Sequence, residues 1–184
     1  MTRLILIRHG ETDWNAEGRW QGQIDVPLNE NGRKNAREMA QSLEGVGIQA
    51  IYSSDLMRAL ETAQALGEAA GLDVQTDARL REIHQGDWQG MLVTEIQERY
   101  NQRFEQRMQD PWAVAPPGGE TVVQVQERVF RALDDILQKH TDETVAIVAH
   151  GFVIALLRVR LEGRPTEQIW DLIPKSGGWV EYSL

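Results

Sequence analysis

A chain of 184 residues can bury roughly 70% of its unfolded surface around one core, so no metal or disulfide staple is required. Cysteine is absent, which excludes thiolate catalysis, disulfides and cysteine-bound zinc. With 28 acidic and 19 basic residues the net charge is -9, which argues against a nucleic-acid backbone or an anionic membrane surface as partner; a small anionic substrate is not excluded, because a few converging arginines set the potential of one pocket.

The chain enters a strand almost at once. Leu4-Ile5-Leu6-Ile7 is an apolar run too short for an independent helix and suited to a buried strand, and it stops at Arg8, His9 and Gly10. No long apolar stretch or small-residue cleavage site stands here, so neither a secretory signal nor a membrane span is expected, and the chain reads as cytoplasmic. Asp13 to Asn29, holding Gly18, Gly22, Pro27, Trp14 and Trp20, reads as a loop, and one this long is uncommon unless functional. Glu30 to Leu43 is an amphipathic helix stopped by Gly45 and Gly47, and Ala50 to Ser53 is a short strand.

Ser54 or Asp55 is expected to cap the next helix, which runs to about Ala70 with Leu56, Ala59, Leu60, Ala63 and Leu66 buried. Arg58 falls in its first turn, where a cation is disfavoured. Two readings stand open: a solvated arginine paired with Asp55 or Glu61, or an arginine that holds an anion together with the free amides of that turn. Leu72 to Thr76 is an edge strand, and Leu80 to Trp88 has no clear period.

Thr94 to Gln109 reads as a helix polar on most sides, a lid or arm, so residues 91 to 120 are a lid-like insertion in a single domain of 1 to 184. Thr121 opens a helix with a capping box; it runs to His140, whose place at the carboxyl end suits a structural role. Thr144 to Ala149 is another buried strand ending in a His-Gly, His150-Gly151, with an apolar helix behind it, and Trp179 to Leu184 closes the chain as a strand. Strands and helices alternate throughout. The expected fold is a three-layer α/β/α sandwich with a largely parallel sheet and room for one antiparallel edge strand.

Ligands of open α/β sheets sit beyond the carboxyl ends of the strands, so two strands that both end in His-Gly, if they are neighbours, project both imidazoles into one crevice. The candidate site gathers His9 and His150, Arg8 and Arg58, and Glu82 from the irregular stretch. Two guanidiniums beside a divalent metal would repel it, whereas beside a phosphoryl group they donate bidentate hydrogen bonds. No G-x-S-x-G is present for a serine triad. Phosphoryl transfer through histidine uses all five residues: a neutral imidazole as nucleophile, a carboxyl group that protonates the leaving alkoxide and then activates water, and the rest on the equatorial oxygens.

The same residues carry a family resemblance. Arg8-His9-Gly10-Glu11-Thr12 with Trp14-Asn15, then Ser53-Ser54-Asp55-Leu56-x-Arg58-Ala59, Leu80-Arg81-Glu82, Gly86-Asp87-Trp88-x-Gly90, Pro117-Gly118-Gly119-Glu120 and Ala149-His150-Gly151 resemble, in order, the motifs of the histidine phosphatase superfamily, in its phosphoglycerate mutase-like branch. The resemblance implies that His9 is phosphorylated and Glu82 is the proton donor. It also implies that Arg8, Arg58 and His150 complete the phosphate pocket with Asn15 and Gly151, that Gln21 and Gly22 form a substrate loop, and that neither metal nor cofactor is needed.

Cofactor-dependent mutases have a longer segment before the second histidine and a polar residue after His-Gly, where this chain has Phe152. Gly86-Asp87-Trp88-Gln89-Gly90 resembles the small bacterial phosphatases, α-ribazole and broad-specificity enzymes among them. A phosphomonoesterase acting on a small phosphorylated metabolite is therefore favoured over a mutase or a non-catalytic phosphate-ester binder, with a homodimer left open. Trp20, Trp112 and Phe152 are read either as an apolar wall for the leaving group or as packing anchors.

Overall fold

The structure is a computed structural model that describes residues 1–184. Its five-stranded sheet has the order β3-β2-β4-β1-β5, with β1 (Arg3–Arg8), β2 (Ala50–Ser53), β3 (Val74–Thr76) and β4 (Thr144–Ala149) parallel and β5 (Trp179–Ser183) antiparallel on the edge beside β1. Both faces of the central strands are covered, which is why they read as unbroken apolar runs. Leu4, Leu6, Val145 and Ile147 face α5 (Val122–Lys139) and α6 (Gly151–Glu162); Ile5, Ile7, Ala146 and Val148 face α2 (Glu30–Ser42) and α3 (Met57–Ala70). The result is the three-layer α/β/α sandwich expected.

The register of the central pair fixes the site. β1 and β4 are adjacent and pair Arg8 with Ala149, so the next residue on each strand is a histidine, and the two rings stand at the same end of the sheet. The second His-Gly is thus the parallel neighbour of the first.

Three expectations need correction, and one element was not expected. The stretch from Asp13 to Asn29 is not all loop: Thr12 accepts from the amide of Asn15 and caps a short helix, α1 (Asp13–Glu17), which Gly18 ends in a left-handed conformation. Neither Ser54 nor Asp55 caps α3. Its N-cap is Leu56, with no side-chain cap, and the amide of Met57 instead donates to Asp25 Oδ1 at 2.6 Å, a carboxylate brought from the preceding loop. Leu60 is only partly buried, while Arg58 and Thr62 of the same helix are fully buried. Between α6 and β5 the chain forms a 3₁₀ helix, Thr166–Leu172, whose lack of a 3.6-residue period hid it from sequence reading.

Residues 91–120 hold α4 (Val93–Gln109), bent at Tyr100, whose backbone leaves helical geometry at φ -130° and ψ 28°. The segment is pinned rather than loose. Trp88 is fully buried, and Trp20, Tyr100 and Phe104 stand around it with ring centroids 5.7 to 6.2 Å away.

Candidate active site

A cavity of about 270 Å³ opens beyond the carboxyl ends of β1 and β4, lined by Arg8, His9, Asn15, Gln21, Gly22, Arg58, Glu82 and Gly151 among others. Ligand sites commonly run to about 300–1,000 Å³, so this one suits a small molecule. Of the candidate residues only His150 is off its surface. It is fully buried directly behind His9, with the ring centroids 5.2 Å apart and edge to face.

A backbone carbonyl and a serine hydroxyl define the tautomers of the two imidazoles. His9 Nδ1 lies 2.7 Å from the carbonyl oxygen of Gly10, which can only accept, so Nδ1 carries the hydrogen and Nε2 keeps its lone pair. His150 Nε2 lies 2.8 Å from Ser54 Oγ, an oxygen that already accepts the amide of Leu56 and has no other acceptor for its own hydrogen. That hydroxyl donates to Nε2, which leaves the hydrogen of His150 on Nδ1, buried and without a partner. Burial, then the charges of Arg58 and Arg8, hold His9 well below the ordinary imidazole range; burial, Arg58 and His9 do the same to His150. Both rings are neutral at pH 7.

The cations are positioned by main-chain carbonyls. Arg8 donates from Nη1 to Pro174 O at 2.6 Å, and Arg58 donates from Nη1 to Ile24 O at 2.9 Å and from Nη2 to Gly22 O at 2.7 Å. The Nε atoms of both are buried without a partner. Arg58 therefore matches neither expectation in full: it is 1% exposed rather than solvated, and the amide of Met57 in its turn is already taken by Asp25. Gly22 contributes a carbonyl that holds Arg58.

Glu82 Oε1 accepts the amide of Ile83 at 3.0 Å and Oε2 accepts the amide of Phe152, in the first turn of α6, at 3.2 Å. The backbone that carries it is clamped from behind. Arg128 donates to the carbonyls of Arg79, Arg81 and Glu82 at 2.7, 2.6 and 3.0 Å and to both carboxylate oxygens of Glu120 at 2.9 Å. Against the upward push of burial, those bonds and the amide of His84 hold the Glu120 carboxyl below its ordinary range. Asn15 turns its Oδ1 to the amide and hydroxyl of Thr12 at 3.1 and 3.0 Å, so its NH₂ is left to face the cavity. Gln21 Oε1 also lies 3.0 Å from the Thr12 hydroxyl, whose single hydrogen the two side-chain oxygens share.

With this geometry in place, comparison with known proteins decides the family. The model of the histidine phosphatase superfamily (branch 1) matches residues 4–183. The chain belongs to that superfamily. It is 38% identical over 171 residues to phosphoserine phosphatase 1 of Hydrogenobacter thermophilus, a match that spans 93% of this chain and 81% of that protein. It is 40% identical over 171 residues to phosphoglycerate mutase-like protein 4 of Arabidopsis thaliana, spanning 90% of this chain and 74% of that one. Among solved structures, the α-ribazole phosphatase of Shigella flexneri superposes with a TM-score of 0.90 at 29% identity, covering 97% of this chain and 89% of that chain.

The rest of the cavity of this histidine phosphatase comes from segments that sequence reading passed over. Trp20 and Phe152 line it, but Trp112 does not; that side chain packs on the core cluster of α5 and α6. Its place in the wall is taken by Trp170 and Ile173 from the 3₁₀ segment, with Trp170 against Phe152 at a centroid distance of 5.4 Å. Arg107, Met108 and Pro111 also line it, as do Arg19 and Gln85. No group of three or more His, Asp or Glu side chains stands close enough to hold a metal ion.

Proposed function

We propose that this enzyme hydrolyses the phosphomonoester of a small metabolite through a phosphohistidine on His9. One observation carries the reading: two cavity-lining N–H donors, Arg8 Nε and Arg58 Nε, and a third in the layer behind the cavity, His150 Nδ1, are buried without a protein acceptor near the one imidazole nitrogen that keeps a free lone pair. A buried donor left unpaired costs about 1–3 kcal/mol, and an oxyanion bound at His9 is the ligand chemistry that would satisfy such donors.

His9 Nε2 attacks phosphorus as the ester P–O bond breaks, and Glu82 gives its proton to the departing alkoxide. Arg8, Arg58 and the His150 N–H hold the equatorial oxygens, and Asn15 adds its free amide N–H. Water then attacks the phosphohistidine, Glu82 takes the proton back, and phosphate leaves with His9 neutral again. The apolar wall of Trp20, Phe152 and Trp170 faces the alcohol and excludes solvent from it. Residues 91–120 act as the fixed roof of this site, and the cytoplasm, where phosphorylated metabolites are held, is the place of action; no helix is long and apolar enough to cross a membrane.

The test is hydrolysis of p-nitrophenyl phosphate in excess chelator, with His9→Ala run beside the wild type. Steady turnover that the variant loses, with a phosphohistidine trapped by a rapid alkaline denaturing quench in the wild type alone, is the expected result. Turnover that survives in the variant overturns the nucleophile.

A further inference from the structure

We propose that Asp25, which stands outside the cavity lining, positions Arg58 for the phosphoryl group by fastening the loop whose carbonyls hold that guanidinium to the first turn of α3. The inference rests on the phosphatase reading and adds a residue that acts through another. Asp25 Oδ1 accepts the amide of Met57, the residue before Arg58, at 2.6 Å. Ile24, the residue before Asp25, gives its carbonyl to Arg58 Nη1 at 2.9 Å. Two consecutive residues of the loop are thus joined to two consecutive residues of the helix, and a shift of Asp25 along α3 carries the Ile24 carbonyl with it.

Arg58 has little else to hold it. α3 begins at Met57 without a side-chain cap of its own, so the guanidinium belongs to a first turn where a cation is disfavoured. It is 1% exposed, and both of its hydrogen bonds go to carbonyls. Burial pulls it down to about 10; the charges of Glu82 and then Asp25 oppose that fall, and Arg8 adds to it. When Glu82 is protonated to serve as the acid, Asp25 is the one of these two carboxylates still acting on Arg58.

The two carbonyls have separate anchors. Gly22 is backed by Gln89, whose Oε1 accepts the amide of Gln23 at 2.8 Å and whose side chain fills the space a Cβ of Gly22 would need. Ile24 is held only within the loop, by its amide to Gln21 O at 3.1 Å and by its carbonyl to the amide of Val26 at 3.0 Å. The next attachment of the segment to α3 is the amide of Leu28 on Glu61 Oε1 at 3.3 Å. Loss of the Asp25 carboxylate therefore releases Nη1 and leaves Nη2 held. A guanidinium pinned at one nitrogen can turn its plane and carry Nε away from the oxyanion.

The test is a double-mutant cycle of Asp25→Ala and Arg58→Gln. It is read by kcat and KM on p-nitrophenyl phosphate and by calorimetric binding of inorganic phosphate, with urea unfolding of each protein to place the assay where it is folded. Alone, Asp25→Ala should lower kcat/KM about tenfold and weaken phosphate binding about threefold; in the Arg58→Gln background it should change either by less than about twofold, because its effect passes through a guanidinium no longer present. Asp25→Asn, whose Oδ1 can still accept the Met57 amide, should recover most of both.

Equal losses in the two backgrounds would mean a general loosening of α3 and would overturn the proposal. Tighter phosphate binding in Asp25→Ala and Asp25→Asn alike would overturn it too, as the mark of a carboxylate that only lowers the potential of the pocket. An asparagine variant as impaired as the alanine would do the same, and that comparison decides by itself should Arg58→Gln bind no phosphate. If the wild type hydrolyses no ester, the phosphatase reading fails, and the phosphate-binding measurements still decide the role of Asp25.

Discussion

Gly151 shows how little room the site leaves at single residues. A Cβ there would stand 3.0 Å from Ile173 Cγ2 and 3.3 Å from Arg8 Cζ. Arg8 cannot retreat without lengthening its 2.6 Å bond to Pro174, so an added methyl must push the guanidinium by a few tenths of an ångström. Misplacement of a reacting group by about 1 Å can cost about a hundredfold, so Gly151→Ala should lower kcat/KM on p-nitrophenyl phosphate roughly tenfold. The melting temperature should change little, because the residue starts α6 with ordinary backbone angles and needs no left-handed conformation. Unchanged steady-state kinetics would mean that the exact position of Arg8 is unimportant. Gly10 is constrained differently: its Cβ would lie 2.4 Å from the backbone oxygen of Gly32, so glycine there lets the start of α2 approach the strand end.

Among the elements, α5 positions Glu82 from behind. Replacing Arg128 with Met removes the donor that serves the carbonyls of Arg79, Arg81 and Glu82 and leaves the half-buried Glu120 carboxylate without its cation. A loss of about 2 kcal/mol in stability is expected, with a fall in kcat larger than any rise in KM, because the role proposed for Glu82 is proton transfer in the transition state. Adding Glu120→Gln should recover part of the stability, read by urea unfolding, but not kcat; recovery of both would reduce Arg128 to a surface-charge effect. Arg128→Lys should not rescue, since a point ammonium cannot reach three carbonyls at once. Sequence reading missed Arg128 because it stands on a helix where charged residues alternate with apolar ones, so it looks solvated, and what makes it different is a set of carbonyls from a distant stretch with no period. The strands and the long helices were readable because their burial follows a period. The start of α3 was not, because its cap is Asp25, supplied from more than thirty residues away.

At the scale of the whole molecule, the two His-Gly strand ends were readable because parallel pairing turns a sequence repeat into a spatial one, while much of the wall that closes the cavity came from irregular chain and from the end of α4. The same burial that makes the imidazoles neutral ties catalysis to stability. In the unfolded chain His9 and His150 titrate near the ordinary imidazole value of 6.5, and in the fold burial holds both well below it. Above that pH both states are neutral at these residues, and the fold keeps its full stability. As pH falls through 6.5 the unfolded chain takes up protons that the folded chain refuses, so stability is lost with falling pH until the depressed folded values are reached. Each histidine contributes a slope approaching about 1.4 kcal/mol per pH unit, so the pair approaches about 3 kcal/mol per unit. Urea unfolding at pH 7.5, 6.5 and 5.5 in MES and HEPES, which carry no phosphate, should show little change over the first step and a marked fall over the second. His9→Gln should be shallower below pH 6.5, because only His150 then resists protonation. Adding phosphate should raise stability at each pH through binding to the folded state. A flat profile from pH 6.5 to 5.5, or the same slope in wild type and variant, would show that the imidazoles take up protons inside the fold, and the neutral nucleophile would have to be abandoned with it.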